Sequence, residues 1–587
     1  MDLEKFYTGF NFEAYEFLGA HYDKEQTTFR VYAPAAVRVS LVLNGKEMPM
    51  TPILEDRFYE IVVKDAAEGD VYEYRIYFPD GNHMDHMDPY GFGMEKRPAH
   101  KSVVRDLEAH EWKDIPWRLK KKDHKRGPVN IYEIHAGSFR KPGENPEDWY
   151  TYEELGDVLI PYLKETGYNY VEFMPLNEHP CDESWGYQAT GFYAPTSRYG
   201  SAGQLQSLID RLHQNGIGAI IDFVPAHFAL DDYALVRYDG TELYEYPASD
   251  VSVSEWGSCN FIHSKGEVRS FLQSCADYWM TKYHFDGIRM DAISRVLYWM
   301  GDENRGENGR AVEFLKVMNM GLKQRHSDCL LIAEDSTNYP AVTGEIQSGG
   351  LGFDYKWDLG WMNDTLDYMK KNYHERIDAY HKLTFSMMYF GNEHYLLPLS
   401  HDEVVHGKAT IAQKMCGLYE GKFPQARTLY LYMMTHPGKK LNFMGNEIAQ
   451  LREWDEKKEQ DWFMHKYPLH DSFYAFIKEL NHLYLEHSAL WEQDYEESGF
   501  KWLDCQQNSR CVYVYERNSV AESLITILNF SPYEQTNYRL PFEGKGEVLL
   551  DSDWHRFSGN TAEGKRILEG GSMIGIAPYS GMILRRC

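Results

Sequence analysis

Eight short apolar runs between residues 130 and 445 alternate with segments of helical period, and no other feature limits the possible folds as tightly. The runs are "NIYEIHAGSF" (130–139), "YNYVEFMPL" (168–176), "IGAIIDFVPA" (217–226), "FDGIRMDA" (285–292), "CLLIAED" (329–335), "FDYKWD" (353–358), "YLLPLSHDE" (395–403) and "KKLNFMG" (439–445). They are nearly continuous in apolar residues, as strands covered on both faces should be. Between them, "SAGQLQSLIDRLHQNG" starts with a Ser201/Gln204 capping box, places Leu205, Leu208, Ile209 and Leu212 on one stripe, and ends at Gly216. "SKGEVRSFLQSCADYW" repeats the pattern, with Ser264/Glu267 as the box and Val268, Phe271, Leu272, Cys275 and Trp279 as the stripe. Phe271 and Trp279 are read as core. Eight strand–helix units predict an α/β fold of the (β/α)8 barrel type.

A chain of 587 residues exceeds one ordinary domain, and its texture changes on both sides of the barrel. Before about residue 107, "TTFRVYAP", "VRVSLVLNG", "FYEIVV" and "VYEYRIYFPDG" are strand signals separated by turn residues, which reads as a β-sandwich. The basic stretch "LKKKDHKRGP" (119–128) reads as a solvated linker. A last helix is expected over 471–490. Beyond it, "RCVYVYER", "SLITILNF", "GEVLLDS" and "SGMILRR" return to strand character. The predicted domains are 1–107, a β-sandwich; 108–490, the barrel; and 491–587, a second all-β domain.

A formal net charge of −28 argues against nucleic acid and anionic membranes as partners, because both would repel the chain at long range. No run of 18 apolar residues is present, so no membrane-spanning helix is expected. The first twenty residues lack a basic start and an apolar core, and a cytoplasmic location is expected. The eight Cys contain no CxxC pair, so zinc ribbons and redox motifs are unsupported. Cys505 and Cys511 are read as accidental neighbours.

In a barrel of this kind, chemistry gathers where strands end and loops begin. The third run ends with Asp222 and His227, the fourth with Arg289 and Asp291, the fifth with Glu334 and Asp335, and the seventh with His401, Asp402 and Glu403. Strand alternation puts Arg289 and Asp291 on one face. Unpaired carboxylates there would repel and raise each other's pKa, which gives Arg289 and the histidines an electrostatic role. Two chemistries use such a set: metal-assisted hydrolysis, and glycosidic bond cleavage by a carboxylate pair. A cation beside a ligand carboxylate would compete with a metal, and no HExxH is present, so the second is favoured and neither metal nor cofactor is expected.

The segments "DFVPAH", "GIRMDA", "AEDS" and "LSHDE", in this order, resemble the four signature regions of the α-amylase family, glycoside hydrolase family 13. More narrowly, 174–200, "GFDYKWDLGWMNDTLDYM" (352–369), "LPLSHDEVVHGK" (397–408) and "LNFMGNEIAQLREWD" (441–455) look like those of the 1,4-α-glucan (glycogen) branching enzymes. The N-terminal part is similar to the family 48 carbohydrate-binding module, and the tail to the usual C-terminal β-domain of the α-amylase family. The resemblance implies that Asp291 is the nucleophile, Glu334 the general acid and then base, and Asp402 the third carboxylate, which holds sugar hydroxyls. It implies that Arg289 keeps Asp291 ionised, that His227 and His401 hydrogen-bond the sugar, and that Tyr187, in "WGYQ", stacks on it. For Asp222, ordering the site, contacting sugar and bonding backbone at its strand end all stay open. Trp454 is read as buried rather than as lining an acceptor path. The family at large often has Asn where this chain has Ala226, and branching enzymes usually carry Trp at Phe223. The implied substrate is an α-glucan such as glycogen, amylose or amylopectin, cut at an α-1,4 bond and rejoined at a 6-hydroxyl by a retaining route, and a monomer is expected. The alternatives are a debranching or trehalose-releasing hydrolase of the same family, or a catalytically silent glucan-binding protein.

Overall fold

The computed structural model describes residues 1–120 and 123–587. The expected linker therefore includes two residues, Lys121 and Lys122, that lie outside the described residues. The eight apolar runs form β1 (Asn130–Ile134), β2 (Tyr170–Phe173), β3 (Gly218–Phe223), β4 (Gly287–Met290), β5 (Leu330–Ala333), β6 (Tyr355–Trp357), β7 (Tyr395–Leu399) and β8 (Lys439–Phe443). They close a barrel in chain order. All of their residues are buried except the first of β7, which explains why the runs lack polar alternation.

By contacts the chain divides into two compact units. One comprises Met1–Lys120, His135–Val158 and Glu172–Asp354; the other takes in the described part of Lys121–Ile134, with Leu159–Val171 and Tyr355–Cys587.

In the first unit, an N-terminal sandwich pairs a sheet built on Gln26–Tyr32 and Phe58–Lys64 with one built on Arg38–Leu43 and Val71–Tyr77. Phe29 and Tyr72 meet edge to face between them, with ring centroids 4.9 Å apart. The helix Ala202–Gln214 carries the predicted capping box of Ser201 and Gln204. The helix Gly266–Lys282 does not carry its predicted one. It is capped by the backbone of Lys265, so Ser264 falls one position too early and Glu267 one position short of the box. The start is set by packing: a Cβ on Gly266 would lie 1.9 Å from the Tyr7 carbonyl oxygen, so the short helix Leu3–Thr8 lies directly on this turn. The rest of the N-terminal segment continues along the helix. Ser270, Gln273 and Ser274 donate to the carbonyls of Phe6, Gly9 and Asn11, and Tyr15 donates to Asp277. This cover buries the polar residues beside the apolar stripe as well.

In the second unit, the last long helix runs Pro468–Glu486, slightly earlier than expected. A six-stranded antiparallel sheet then holds Val512–Asn518, Ser523–Asn529, Lys545–Asp551 and Ser580–Arg586, matching the four predicted strands. Asp494 ties this domain to β8, accepting from Lys439 at 2.9 Å and Arg517 at 2.7 Å with all three side chains fully buried. Breaking such a pair by removing one partner costs about 3–5 kcal/mol.

Candidate active site

In the first unit, neighbouring strands set the register of the site. Asp222 on β3 stands opposite Arg289 on β4, and Met290 stands opposite Ala333 on β5, so Asp291 and Glu334 emerge together at adjacent strand ends. Ala292 follows at once with a left-handed φ of 44°. That turn aims its N–H back at Glu334 Oε2, at 2.9 Å. A non-glycine residue in this region is uncommon and stores strain, which the bond to Glu334 and the Ile293 N–H to Glu334 carbonyl bond, at 3.0 Å, hold in place.

Arg289 is the hub. Its Nη1 donates to Asp222 Oδ2 at 2.5 Å, to Asp291 Oδ1 at 2.9 Å and to the Tyr187 hydroxyl at 3.3 Å, while Nη2 donates to Glu334 Oε2 at 2.7 Å. The Tyr187 hydroxyl donates to Asp222 Oδ2 at 2.5 Å. Burial works against the charge on Arg289, but Asp222 and Glu334, with Tyr187 and Asp291, outweigh it and push the guanidinium pKa well above its usual value. Arg289 and Asp222 are shut away from solvent, whereas Asp291 and Glu334 keep 15% and 18% of their side chains exposed. The two open carboxylates are thus the reachable members of the cluster. The neighbouring Asp335 is spent locally: its Oδ1 accepts from the Thr337 N–H and hydroxyl.

Tyr187 is delivered by a tight turn. Trp185 adopts a left-handed φ of 57°, and Gly186 has φ +94° with the Pro175 carbonyl oxygen 2.4 Å from where a Cβ would stand. Only glycine fits there. His227 is buried in a two-residue strand paired with Cys259–Asn260. Burial, helped by the charge on Arg295, pushes its pKa down to about 4, so the ring is neutral at pH 7. Among the described residues, no side-chain hydrogen bond joins it to the Arg289 cluster. Its ring instead lies 5.2 Å from that of Trp256.

In the second unit, His401 and Asp402 follow β7. His401 Nδ1 donates to Glu133 Oε1 at 2.5 Å, its backbone N–H donates to Glu133 Oε2 at 3.0 Å, and Nε2 lies 3.5 Å from Asp402 Oδ1. Asp402 is the exposed member, at 45%. Glu133 was missed by sequence reasoning. The only signal was a lone carboxylate inside the apolar first run, where it must have a partner to be buried. Trp454 is buried as read, 5.2 Å from Phe443 and 6.2 Å from His401 by ring centroids.

The chain is 42% identical over 585 residues to the 1,4-alpha-glucan branching enzyme GlgB of Bacillus caldolyticus, a match spanning 97% of this chain and 87% of that one. The chain belongs to the 1,4-alpha-glucan branching enzyme family. The GlgB protein of Bacillus subtilis (strain 168) is another relative, 40% identical over 97% of this chain and 93% of its own. Within this branching-enzyme chain, residues 17–91 match carbohydrate-binding module 48 (isoamylase N-terminal domain), residues 157–238 the alpha amylase catalytic domain, and residues 502–586 the alpha amylase C-terminal all-beta domain. Among solved structures, a pullulanase type I from Bacillus subtilis str. 168, crystallised with maltose, covers 97% of this chain and 85% of its own with a TM-score of 0.76. At 20% identity that likeness speaks for the fold alone.

Proposed function

We propose that the protein makes α-1,6 branches in an α-glucan by cutting an α-1,4 bond and transferring the cut chain. The observation that carries the reading is the Arg289 hub with Asp291 on one amino group and Glu334 on the other, in a chain of the branching-enzyme family. Asp291 attacks the anomeric carbon. The bond from that carbon to O4 breaks, and Glu334 gives its proton to O4. Glu334 Oε2 already accepts from Arg289 and Ala292, so Oε1 is the atom that carries the proton. In the second half, Glu334 takes the proton of an acceptor 6-hydroxyl, whose oxygen displaces Asp291 from the anomeric carbon. No water is consumed, and the covalent step stores the cut chain between the two halves.

In this reading Asp222 acts through Arg289 and Tyr187, Tyr187 packs against the sugar ring, and His227 and His401 hydrogen-bond it. Asp402, steadied through His401 and Glu133, holds sugar hydroxyls. The division into domains near residues 107 and 490 and a monomeric state belong to the same proposal. So does a cytoplasmic location, which is supported by eight cysteines carried as thiols, four of them buried.

The test is incubation with amylose while iodine colour and reducing ends are followed together. Branching lowers colour with little new reducing sugar. Rising reducing sugar in step with colour loss would make the protein a hydrolase, and no change in either a binder. Asp291→Asn should lower turnover by at least about a thousandfold, an activation penalty of roughly 4 kcal/mol. A variant keeping a tenth of wild-type turnover would mean that another residue is the nucleophile.

A further inference from the structure

Trp256 is 45% exposed, yet its place is fixed from several directions. It sits in the turn 254–258, closed by the Ser254–Ser258 hydroxyl contact at 2.6 Å and the Ser254 N–H to Ser258 carbonyl bond at 2.8 Å. The Trp256 N–H donates to Ser254 Oγ at 3.2 Å, and its carbonyl accepts from the side chain of Gln188, the residue after Tyr187, at 3.0 Å. Arg295, four residues beyond Asp291, lays its guanidinium over the indole, 4.8 Å from the ring centroid. The same Arg295 is bonded to Glu255 and to the Met300 carbonyl, so the stack cannot drift. The indole is tilted at 41° to the ring of His227, with centroids 5.2 Å apart.

An exposed Trp on a mobile loop would need no explanation. This one is held by a cation over its ring, by the candidate sugar-binding His227 packed against it, and by the loop that delivers Tyr187. A large aromatic surface kept in water at such expense of ordering is suited to a ligand with a flat, partly apolar face. We infer that Trp256 is a stacking platform for a glucosyl unit of the α-1,4-glucan, next to the unit that reacts at Asp291, and that Arg295 positions it. The inference rests on the proposed branching reaction for its substrate, but it has its own readout. The C–H face of a glucose ring lies on the indole, and binding energy taken there, away from the broken bond, holds the chain in register.

Maltoheptaose binding is measured by calorimetry in the Asp291→Asn background, so that the ligand is not consumed. Adding Trp256→Ala should weaken binding at least about tenfold, while Trp256→Phe, which keeps a ring, should stay within about threefold. Arg295→Met should lie between them if the guanidinium only holds the indole. A melting curve accompanies each variant, and midpoints within a few degrees of the background are expected. Unchanged affinity in Trp256→Ala overturns this inference alone, as does Trp256→Phe binding as weakly as Trp256→Ala. Wild-type protein that does not branch amylose overturns the functional reading instead, whatever Trp256 does.

Discussion

Arg289 meets Asp291 through one amino group and Glu334 through the other. In the proposed reaction these carboxylates exchange charge: Asp291 is anionic at the start, and Glu334 is anionic once the glycosyl ester forms. The negative charge moves across one guanidinium that is already in place, so neither half-reaction has to wait for a new counter-ion. Glu334→Gln should therefore be inactive on glucans by at least about a thousandfold, yet recover part of its first step on a glycosyl fluoride, a donor that needs no proton to depart. Equal losses on both donors would assign the acid to another residue. At this scale much was legible. Alternation along "GIRMDA" is enough to place Arg289 and Asp291 side by side, and their contact follows. Glu133 was not legible, because nothing in "NIYEIH" says which later residue will fold over it.

At the scale of elements, the barrel strands were readable because double-sided burial makes them continuous apolar words bounded by turns. The Ser264/Glu267 box was not, because the start of that helix is set by Gly266 under the Tyr7 carbonyl, a contact with a distant segment. Gly186 gives a similar backbone argument a functional edge. Gly186→Ala places a methyl against the Pro175 carbonyl in a left-handed backbone, and it should cost roughly 1–3 kcal/mol or move the turn. A moved turn displaces Tyr187 and should lower kcat at least about tenfold, a turn that holds should lower the melting point, and a variant with wild-type kinetics and melting would refute the argument. The junction between the helix Tyr419–Thr435 and β8 offers a pH test. His436 bonds the Pro437 carbonyl through Nδ1 at 2.8 Å and Ser386 Oγ through Nε2 at 2.9 Å. Burial is the main cause that pushes its pKa down to about 3. Above pH 6.5 both folded and unfolded forms are neutral. Below it the unfolded chain takes up a proton that the folded one refuses, so this contribution to stability is lost as pH falls, by about 1.4 kcal/mol per unit. The wild type should lose stability relative to His436→Gln between pH 6.5 and pH 4, and parallel melting profiles of the two proteins would contradict it.

At the scale of the molecule, the N-terminal segment is part of the catalytic scaffold and not an appendage. Deleting residues 1–107 takes away the carbonyl partners of Ser270, Gln273 and Ser274 and uncovers Phe271 and Tyr278, which pack on Tyr90 and on Tyr15 and Phe92. At about 0.5–1.5 kcal/mol for each lost hydrogen bond and about 1.5–3 kcal/mol for each large side chain returned to water, the loss approaches the whole stability of an ordinary domain. The truncated protein should melt at least about 10 °C lower or fail to fold, losing activity on short and long glucans alike. A folded truncation that lost only its action on long chains would show the segment to be a glucan-binding module and little else. The same bonds impose an order in time. Phe6 and its partner Ser270 are 264 residues apart, so at ribosomal rates of about 5–20 residues per second the first helix leaves the ribosome roughly 13–50 s before the helix it covers. For that interval the start of the chain is a latch without a catch, and the strand bearing Arg289, next after that helix, is still unmade.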